Sequence, residues 1–465
     1  MRKNILYLLV VFVMPMLLSA GTTLFLGGVD TDGNPFPFGS GTFYYAETYQ
    51  PAFDLPPQIV VSNRGGVAFL AADAPPTETQ RYLGSFLVQC AGIPKPKAHL
   101  LRKGSETIAG MQILYTGINL HSNTDLTEFV LLANDYVAPG SYKNKLLLLQ
   151  DDGAVTNSTD LEVSDSPWPS HRSVFASAAR QVLFPSSTPR SFKLTAAGWL
   201  EEELQAGNIP LATAWAGISD RRVAFSADGS KVYFSTSSDL KLSDDPLEGS
   251  DYSLYCFDLS SGIISFLASI GTAIAEPSCS TDGEIVVIQC TRLILCGFAD
   301  NSPYSQIVKI KKNLSGNYDY ELISLDENDL PAGAHCRNPA ISADGRFVTF
   351  SSSAKLTAIE TGGIEQIYRY DSASKHLELI SCNNGAAACK PCYQPAISAN
   401  GRYVGFASAA ENLTAYQGNY PQVMLADCGF YAEVADVNAV PGKTSTIELT
   451  GNFLPEATTV ILQNA

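Results

Sequence analysis

Apolar and polar residues alternate in short bursts along this chain, and the burst Asn338 to Phe350, NPAISADGRFVTF, sets the unit that the rest repeats. Two strand-forming runs flank Asp344-Gly345. Asp-Gly between alternating hydrophobics predicts a tight antiparallel hairpin with φ > 0 at both central residues. Farther on, Gln366 to Asp371 and Leu377 to Ser381 predict a second strand pair around the turn Ser372 to His376. Four strands in about 55 residues make one blade of a β-propeller.

The unit recurs as Arg222 to Phe234 (RVAFSADGSKVYF), Glu276 to Ile288 (EPSCSTDGEIVVI) and Gln394 to Phe406 (QPAISANGRYVGF). Its turn glycines Gly229, Gly283, Gly345 and Gly401 stand 54, 62 and 56 residues apart, a period that suits blades with long loops. An earlier copy, Gln58 to Phe69, puts Gly65 164 residues before Gly229, a gap that holds two more units at this period. Val174 to Phe184 keeps the apolar frame of one without its glycine. Ile108 to Tyr115 around Gly110 is taken for the other, with Lys145 to Val155 as its outer strand pair. The expected fold is all-β, a seven-bladed β-propeller over residues 42–434. The strand-like Thr42 to Tyr49 is assigned the closing of the ring, with Phe430 to Val434 as its rival.

Composition agrees: Tyr and Phe number 21 and 22, Gly 36 and Pro 26, and long runs at helical spacing are missing. Helix is expected only around Ala196 to Ala206. Residues 1–20 join Arg2 and Lys3 to a 14-residue apolar run, Ile5 to Leu18, and then to Ser19-Ala20-Gly21. That order is the layout of a secretory leader, and the run is short for a membrane span. No later stretch is long enough to cross a bilayer, so an exported chain, periplasmic, cell-surface or secreted, is expected. Without the leader the formal charge moves from −16 to −18, which repels phosphate backbones and argues against nucleic acid. Ten cysteines in such a chain allow up to five disulfides; five of the cysteines lie in Cys256 to Cys336 and three in Cys382 to Cys392. A disulfide within Cys382 to Cys392 is expected, and a Cys90 to Cys428 clasp is conceivable in a closed ring.

Residues 21–41 read as a glycine- and proline-rich loop. Within it Asp30-x-Asp32-Gly33-Asn34 has the first half of a calcium loop without the later bidentate acid, so a plain Asp-Gly turn is expected. The segments Ser237 to Ser250, with Asp239, Asp244, Asp245 and Glu248, Ser352 to Glu365, and Ala407 to Tyr420 fall at one point of their blades and therefore on one face. They are the candidate binding loops. Residues 435–465, with strand-like Thr446 to Phe453 and Thr459 to Leu462, read as a different β module, too short for a whole immunoglobulin-like sandwich.

The four strong copies resemble the TolB-type, WD-like propeller repeats of exported bacterial proteins. The matching residues are Pro339, Ser342, Asp344, Gly345, Arg346 and Phe350, and again Pro395, Ser398, Gly401, Arg402 and Phe406, with Asn400 in place of Asp. The resemblance runs over Arg222 to Asp427 and weakly over Gln58 to Leu204. It implies the fold, because these residues build hairpins and carry no chemistry. The tail from Val440 to Leu462 resembles the start of an IPT/TIG immunoglobulin-like domain, through Val440-Pro441-Gly442 and Thr450-Gly451-Asn452-Phe453.

No Gly-x-Ser-x-Gly elbow and no His-Glu-x-x-His occurs. The five histidines, His99, His121, His171, His335 and His376, stand singly. No catalytic residue, metal site or cofactor is assigned. The expectation is a non-catalytic, monomeric scaffold that binds a protein or glycan through one face. The alternative is a glycan-active enzyme with two or three carboxylates at the central channel.

Overall fold

The computed structural model describes residues 22–37, 40, 59–72, 82–93, 95–103, 105–108, 111–114, 119–138, 141–164, 174–184, 190–215, 223–238, 240–242, 251–272, 275–298, 301–313, 315–429, 432–434 and 449–451. The leader, Thr42 to Tyr49, the acids of Ser237 to Ser250 and most of the tail lie outside them.

Seven four-stranded antiparallel sheets follow one another along the chain, and they are the blades of a seven-bladed propeller. Blades 1 to 6 cover residues 59–103, 119–164, 174–202, 223–271, 278–322 and 336–379. Blade 7 takes three strands from 392–427 and its fourth from Thr23–Leu26. Central strands are buried on both faces, so they read as unbroken apolar runs and each face belongs to a different interface. In Tyr403–Ser408, Val404 and Phe406 pack toward blade 6, while Tyr403 and Ala407 pack toward blade 1. Every one of the seven interfaces, including that between blades 7 and 1, has its own apolar cluster, and so the ring is closed.

Closure departs from the expectation in where its strand comes from. Thr23–Leu26, inside the segment read as a loop, pairs antiparallel with Gln422–Asp427, Phe25 opposite Leu425 and Leu26 opposite Met424. The chain then crosses to blade 1, where the Phe36 ring sits 4.7 Å from that of Phe86 and 5.9 Å from that of Phe69. Four residues later Ser40 bridges to Ala71. Short, locally apolar strands such as TLFL carry little signal beside glycines and prolines. Ala432–Val434, the rival candidate, pairs instead with Leu449–Gly451.

Three other expectations are corrected. The second blade begins at Asn119–Ser122 and Glu128–Ala138, whereas Ser105–Ile108 and Met111–Leu114 form a separate hairpin. Gly198–Glu202 is the outer strand of blade 3, and the short helix lies at Leu211–Ala214. The hairpin turns are also longer than two residues. Gly345 has φ 75° and Asp344 is not left-handed; the turn closes where Ser342 N donates to Phe347 O (2.9 Å).

Candidate binding surface

The two faces of the ring are built differently. On one, the turns between first and second strands are held by their own motif residues. Ser342 Oγ donates to Asp344 Oδ1 (2.6 Å) and accepts from Phe347 N (2.9 Å). Ser226, Ser280 and Ser398 repeat this with Asp228, Asp282 and Asn400. The arginine of the motif forks onto the end of the third strand: Arg346 onto Asp371 (2.7 and 3.0 Å) and Arg402 onto Asp427 (2.6 and 2.7 Å). Neighbouring turns are also joined, Asp228 N to Thr281 O (3.1 Å), Thr281 N to Ala343 O (2.9 Å), Ala343 N to Ala399 O (2.9 Å) and Asn400 N to Asn63 Oδ1 (2.8 Å). The repeat motif is thus consumed in architecture.

The opposite face carries the loops between second and third strands together with the links between blades. A buried glutamine opens the third strand of blades 5, 6 and 7 and clamps the link. Gln306 Nε2 donates to Ala332 O (2.8 Å), Gln366 Nε2 to Ala388 O (2.9 Å) and Gln422 Nε2 to Phe36 O (2.6 Å). Their Oε1 atoms accept from Ser324 (2.7 Å), Ser381 (2.6 Å) and Ser40 (2.8 Å). In blade 7 the partner therefore comes from the N-terminal segment, which reproduces the chemistry of an ordinary blade link.

The link 380–391 and the loop 407–420 interlock on this face. Asn383 Nδ2 donates to Asn412 O (3.1 Å), Cys389 N to Asn412 Oδ1 (2.9 Å) and Asn412 Nδ2 to Ala387 O (2.8 Å), and Lys390 pairs with Glu411 (2.6 Å). Ser352 to Glu365 and Ala407 to Tyr420 do lie on one face, as expected. Of Ser237 to Ser250 the structure describes residues 237, 238 and 240–242.

On the innermost strands this face meets three left-handed residues, each before a proline: Glu276 (φ 41°), Asn338 (φ 52°) and Gln394 (φ 49°). A residue before proline is pushed toward extended backbone, so these positions store strain. Two of them sit at register shifts, between Arg337 and Ala340 and between Tyr393 and Ala396, where a bulge re-aims side chains. Asn338 N and Nδ2 both donate to Glu276 Oε2 (3.3 Å), and Gln289 Nε2 donates to the same oxygen, which ties adjacent blades at the rim. At the top of the interface between blades 6 and 7, Glu365 has a buried Oε1 without a hydrogen-bond partner. Burial pushes its carboxyl up, against the pull of Ser351 and Arg337.

In the sequence Glu276, Asn338 and Gln394 stand only as the first residues of their repeat units, with no role assigned to them. Their signal is there in the recurrent Xaa-Pro at Glu276-Pro277, Asn338-Pro339 and Gln394-Pro395, and in the Gln-Ile or Gln-Val that opens the third strand of blades 5, 6 and 7. Asp30 behaves as an ordinary turn residue: its Oδ1 accepts from Asp32 N (2.9 Å) and Asn34 N (2.8 Å), with Gly33 at φ 87°. All ten cysteines are unbridged. The expected bridge within Cys382 to Cys392 is not formed, and the thiols of Cys382 and Cys392 donate to the carbonyls of Leu379 (3.1 Å) and Lys390 (3.8 Å). Cys90 and Cys428 lie in different interface clusters, so no clasp joins them. His335 Nδ1 accepts from Ser305 N (3.0 Å), and burial, with Arg337 nearby, holds its pKa below the usual value. Among the described residues no group of three or more His, Cys, Asp or Glu is placed to hold a metal ion, and no helix is long and apolar enough to cross a membrane.

No protein-family model matches the chain, and no curated protein does. Among solved structures it is similar to TolB from Acinetobacter baumannii, at 14% identity and TM-score 0.36, over 79% of this chain and 78% of that one. A putative TolB from Agrobacterium tumefaciens aligns at 16% identity and TM-score 0.35, over 58% of this chain and 80% of that one. Pyrococcus horikoshii acylaminoacyl peptidase aligns at 12% identity and TM-score 0.38, over 60% and 41%. The fold assignment rests on the seven sheets themselves.

Proposed function

We propose that the protein is a non-catalytic exported scaffold that binds a protein or glycan partner at the cell envelope through the face carrying the blade links. The observation that carries this reading is the strained, polar inner rim formed by Glu276, Asn338 and Gln394 in three successive blades. Strain of this kind persists where the surrounding structure over-determines it, and it clusters at ligand clamps. The interlocked link and loop around Asn412 support the reading by giving that face a rigid outer part. The leader pattern of residues 1–20 supports export, with cleavage near Ala20.

The test is affinity capture from the envelope fraction of the source cell, comparing wild type with Asn338→Ala/Gln394→Ala and with Lys390→Glu/Glu411→Lys. A specific partner retained by wild type and lost from the rim variant, with the variant still folded at the temperature of capture, is the expected result. Turnover of a polysaccharide or peptide that disappears in Glu276→Gln or Glu365→Gln would replace the scaffold by the glycan-active or hydrolytic alternative.

A further inference from the structure

On the turn-bearing face, a cleft of about 500 Å³ opens between blades 5 and 6, a size that suits a small ligand. Its blade 5 wall is a ladder of crossed charges on neighbouring strands, Lys309 opposite Glu321 and Lys311 opposite Asp319. Its blade 6 wall is the turn Asp344-Gly345-Arg346 with Ser372 and Ala373. Alternation along Gln306–Lys312 sends Ile307, Lys309 and Lys311 toward blade 6 while Val308 and Ile310 fill the interface with blade 4.

Lys309 is the unusual member of this wall. It is only 8% exposed, and its Nζ makes one hydrogen bond, to Ser372 Oγ (2.7 Å), which in turn donates to Arg346 O (2.7 Å). Among the described residues no carboxylate is in ion-pair contact with it. Each nearby acid is engaged elsewhere: Glu321 takes Lys375 and the Tyr370 hydroxyl, Asp344 takes Ser342 Oγ and Arg346 N, and Asp319 takes Asn313 Nδ2. A buried ammonium without a counter-ion is unfavourable, and the amine relieves it by giving up its proton. Burial accordingly holds the Lys309 pKa below that of an ordinary lysine; Lys375 and Lys311 push the same way, and Glu321 and Asp344 oppose them.

We propose that Lys309 is a nucleophilic amine and that the cleft captures a small aldehyde or α-keto acid on it as an imine, the ligand's carboxylate being met by Lys311. The lone pair of Nζ adds to the carbonyl carbon, the carbonyl oxygen takes up a proton, and the carbinolamine loses that hydroxyl with the remaining nitrogen proton as water. No oxidant or reductant is needed. The site lies on the opposite face from the proposed partner surface and does not depend on it.

The experiment treats the intact protein with glyoxylate and cyanoborohydride at pH 7.5 and maps the reduced adducts by peptide mass spectrometry. Lys311, exposed and two residues away on the same strand, is the internal control. At pH 7.5 Lys309 is expected to be modified faster than Lys311, because burial in the cleft leaves more of its amine unprotonated. Ser372→Ala, which frees the amine from its one fixed partner, is expected to change the rate at Lys309 and leave Lys311 unaltered. Modification of Lys309 no faster than Lys311, or adducts spread evenly over exposed lysines, would overturn the proposal.

Discussion

In blades 4 to 7 the turn between the first two strands closes on a hydroxyl and a left-handed glycine, whereas in blades 2 and 3 the left-handed place belongs to Leu126 (φ 56°) and Arg180 (φ 52°). The geometry is the same. Asn123 Oδ1 accepts from Thr127 N (3.0 Å) and Glu128 N (3.3 Å), as Ser226 Oγ accepts from Ser230 N (3.1 Å) and Lys231 N (2.9 Å). All seven turns thus place one residue at φ > 0: Gly65, Leu126, Arg180, Gly229, Gly283, Gly345 and Gly401. What differs is the neighbourhood. A Cβ on Gly401 would lie 2.1 Å from Phe347 Cδ2 and one on Gly345 2.5 Å from Ile285 Cδ1, so only glycine fits. At the other two turns a side chain finds room: Leu126 is buried among Ala68, Leu120 and Phe129, and Arg180 reaches Glu128 (2.6 Å). Backbone conformation is conserved around the ring, while glycine is needed only where the adjacent blade crowds the turn.

The strongest way to break this comparison is Gly401→Ala. Left-handed strain adds to a clash with a ring that is itself held by Arg346 and Arg369, so a loss of about 3 kcal/mol or more is expected in urea unfolding. Stability equal to wild type would show that the turn does not approach blade 6 as described.

A smaller effect of opposite sign is expected for Glu365→Gln. The folded-state pKa of this carboxyl is raised, so its ionised form opposes folding above that pKa and ceases to do so below the unfolded value of about 4.3. The variant should melt higher than wild type at pH 8 and equally at pH 4; a lower melting point at pH 8 would mean that the carboxylate is satisfied.

Acid sharpens the contrast between the two turn types. Asp228 and Asp282 are pushed up by burial, but bonds from Ser226 and Ser280 and from backbone N–H groups outweigh this and hold both below the usual range. Depressed folded values mean that this stabilisation is complete above about pH 4 and lost as the pH falls through them. Hydrogen exchange at pH 3 should therefore open the turns of blades 4 and 5 before the amide-held Asn123 turn of blade 2. The reverse order would count against the turn chemistry.

Smallest is Arg180→Gly. Relief of left-handed strain and loss of an exposed ion pair nearly cancel, so a change within about 0.5 kcal/mol is expected. A large loss would assign Arg180 a role that the ring does not give it.

These differences explain how much could be read beforehand. The fold class, the blade number and the placing of Ser352 to Glu365 and Ala407 to Tyr420 on one face follow from Asp-Gly or Asn-Gly between apolar runs, because that signal is local. The period places the second blade at Ile108 to Tyr115 around Gly110, whereas its turn is the one in which Leu126 takes the left-handed place in roomier surroundings. The closing strand escapes the pattern for a different reason. Thr23–Leu26 has four residues and no turn signal, and its role depends on Ser40 meeting Gln422, 382 positions away. Of the candidate surface, the loops were legible, but the rim was not. Left-handed backbone before a proline opposes the preference of every residue involved, and propensity cannot forecast a conformation that the surrounding blades impose.

Residues 22–40 close the ring, and hydrogen exchange of the third strand of blade 7, Gln422–Asp427, tests this most directly. In the full chain the amides of this strand should be protected as strongly as those of Gln366–Asp371, its counterpart in blade 6. In a chain from which residues 22–40 are deleted, protection of 422–427 should fall by at least a hundredfold while 366–371 loses far less. Unchanged protection of 422–427 in the deletion would contradict closure by the N-terminal strand and its Ser40 clamp.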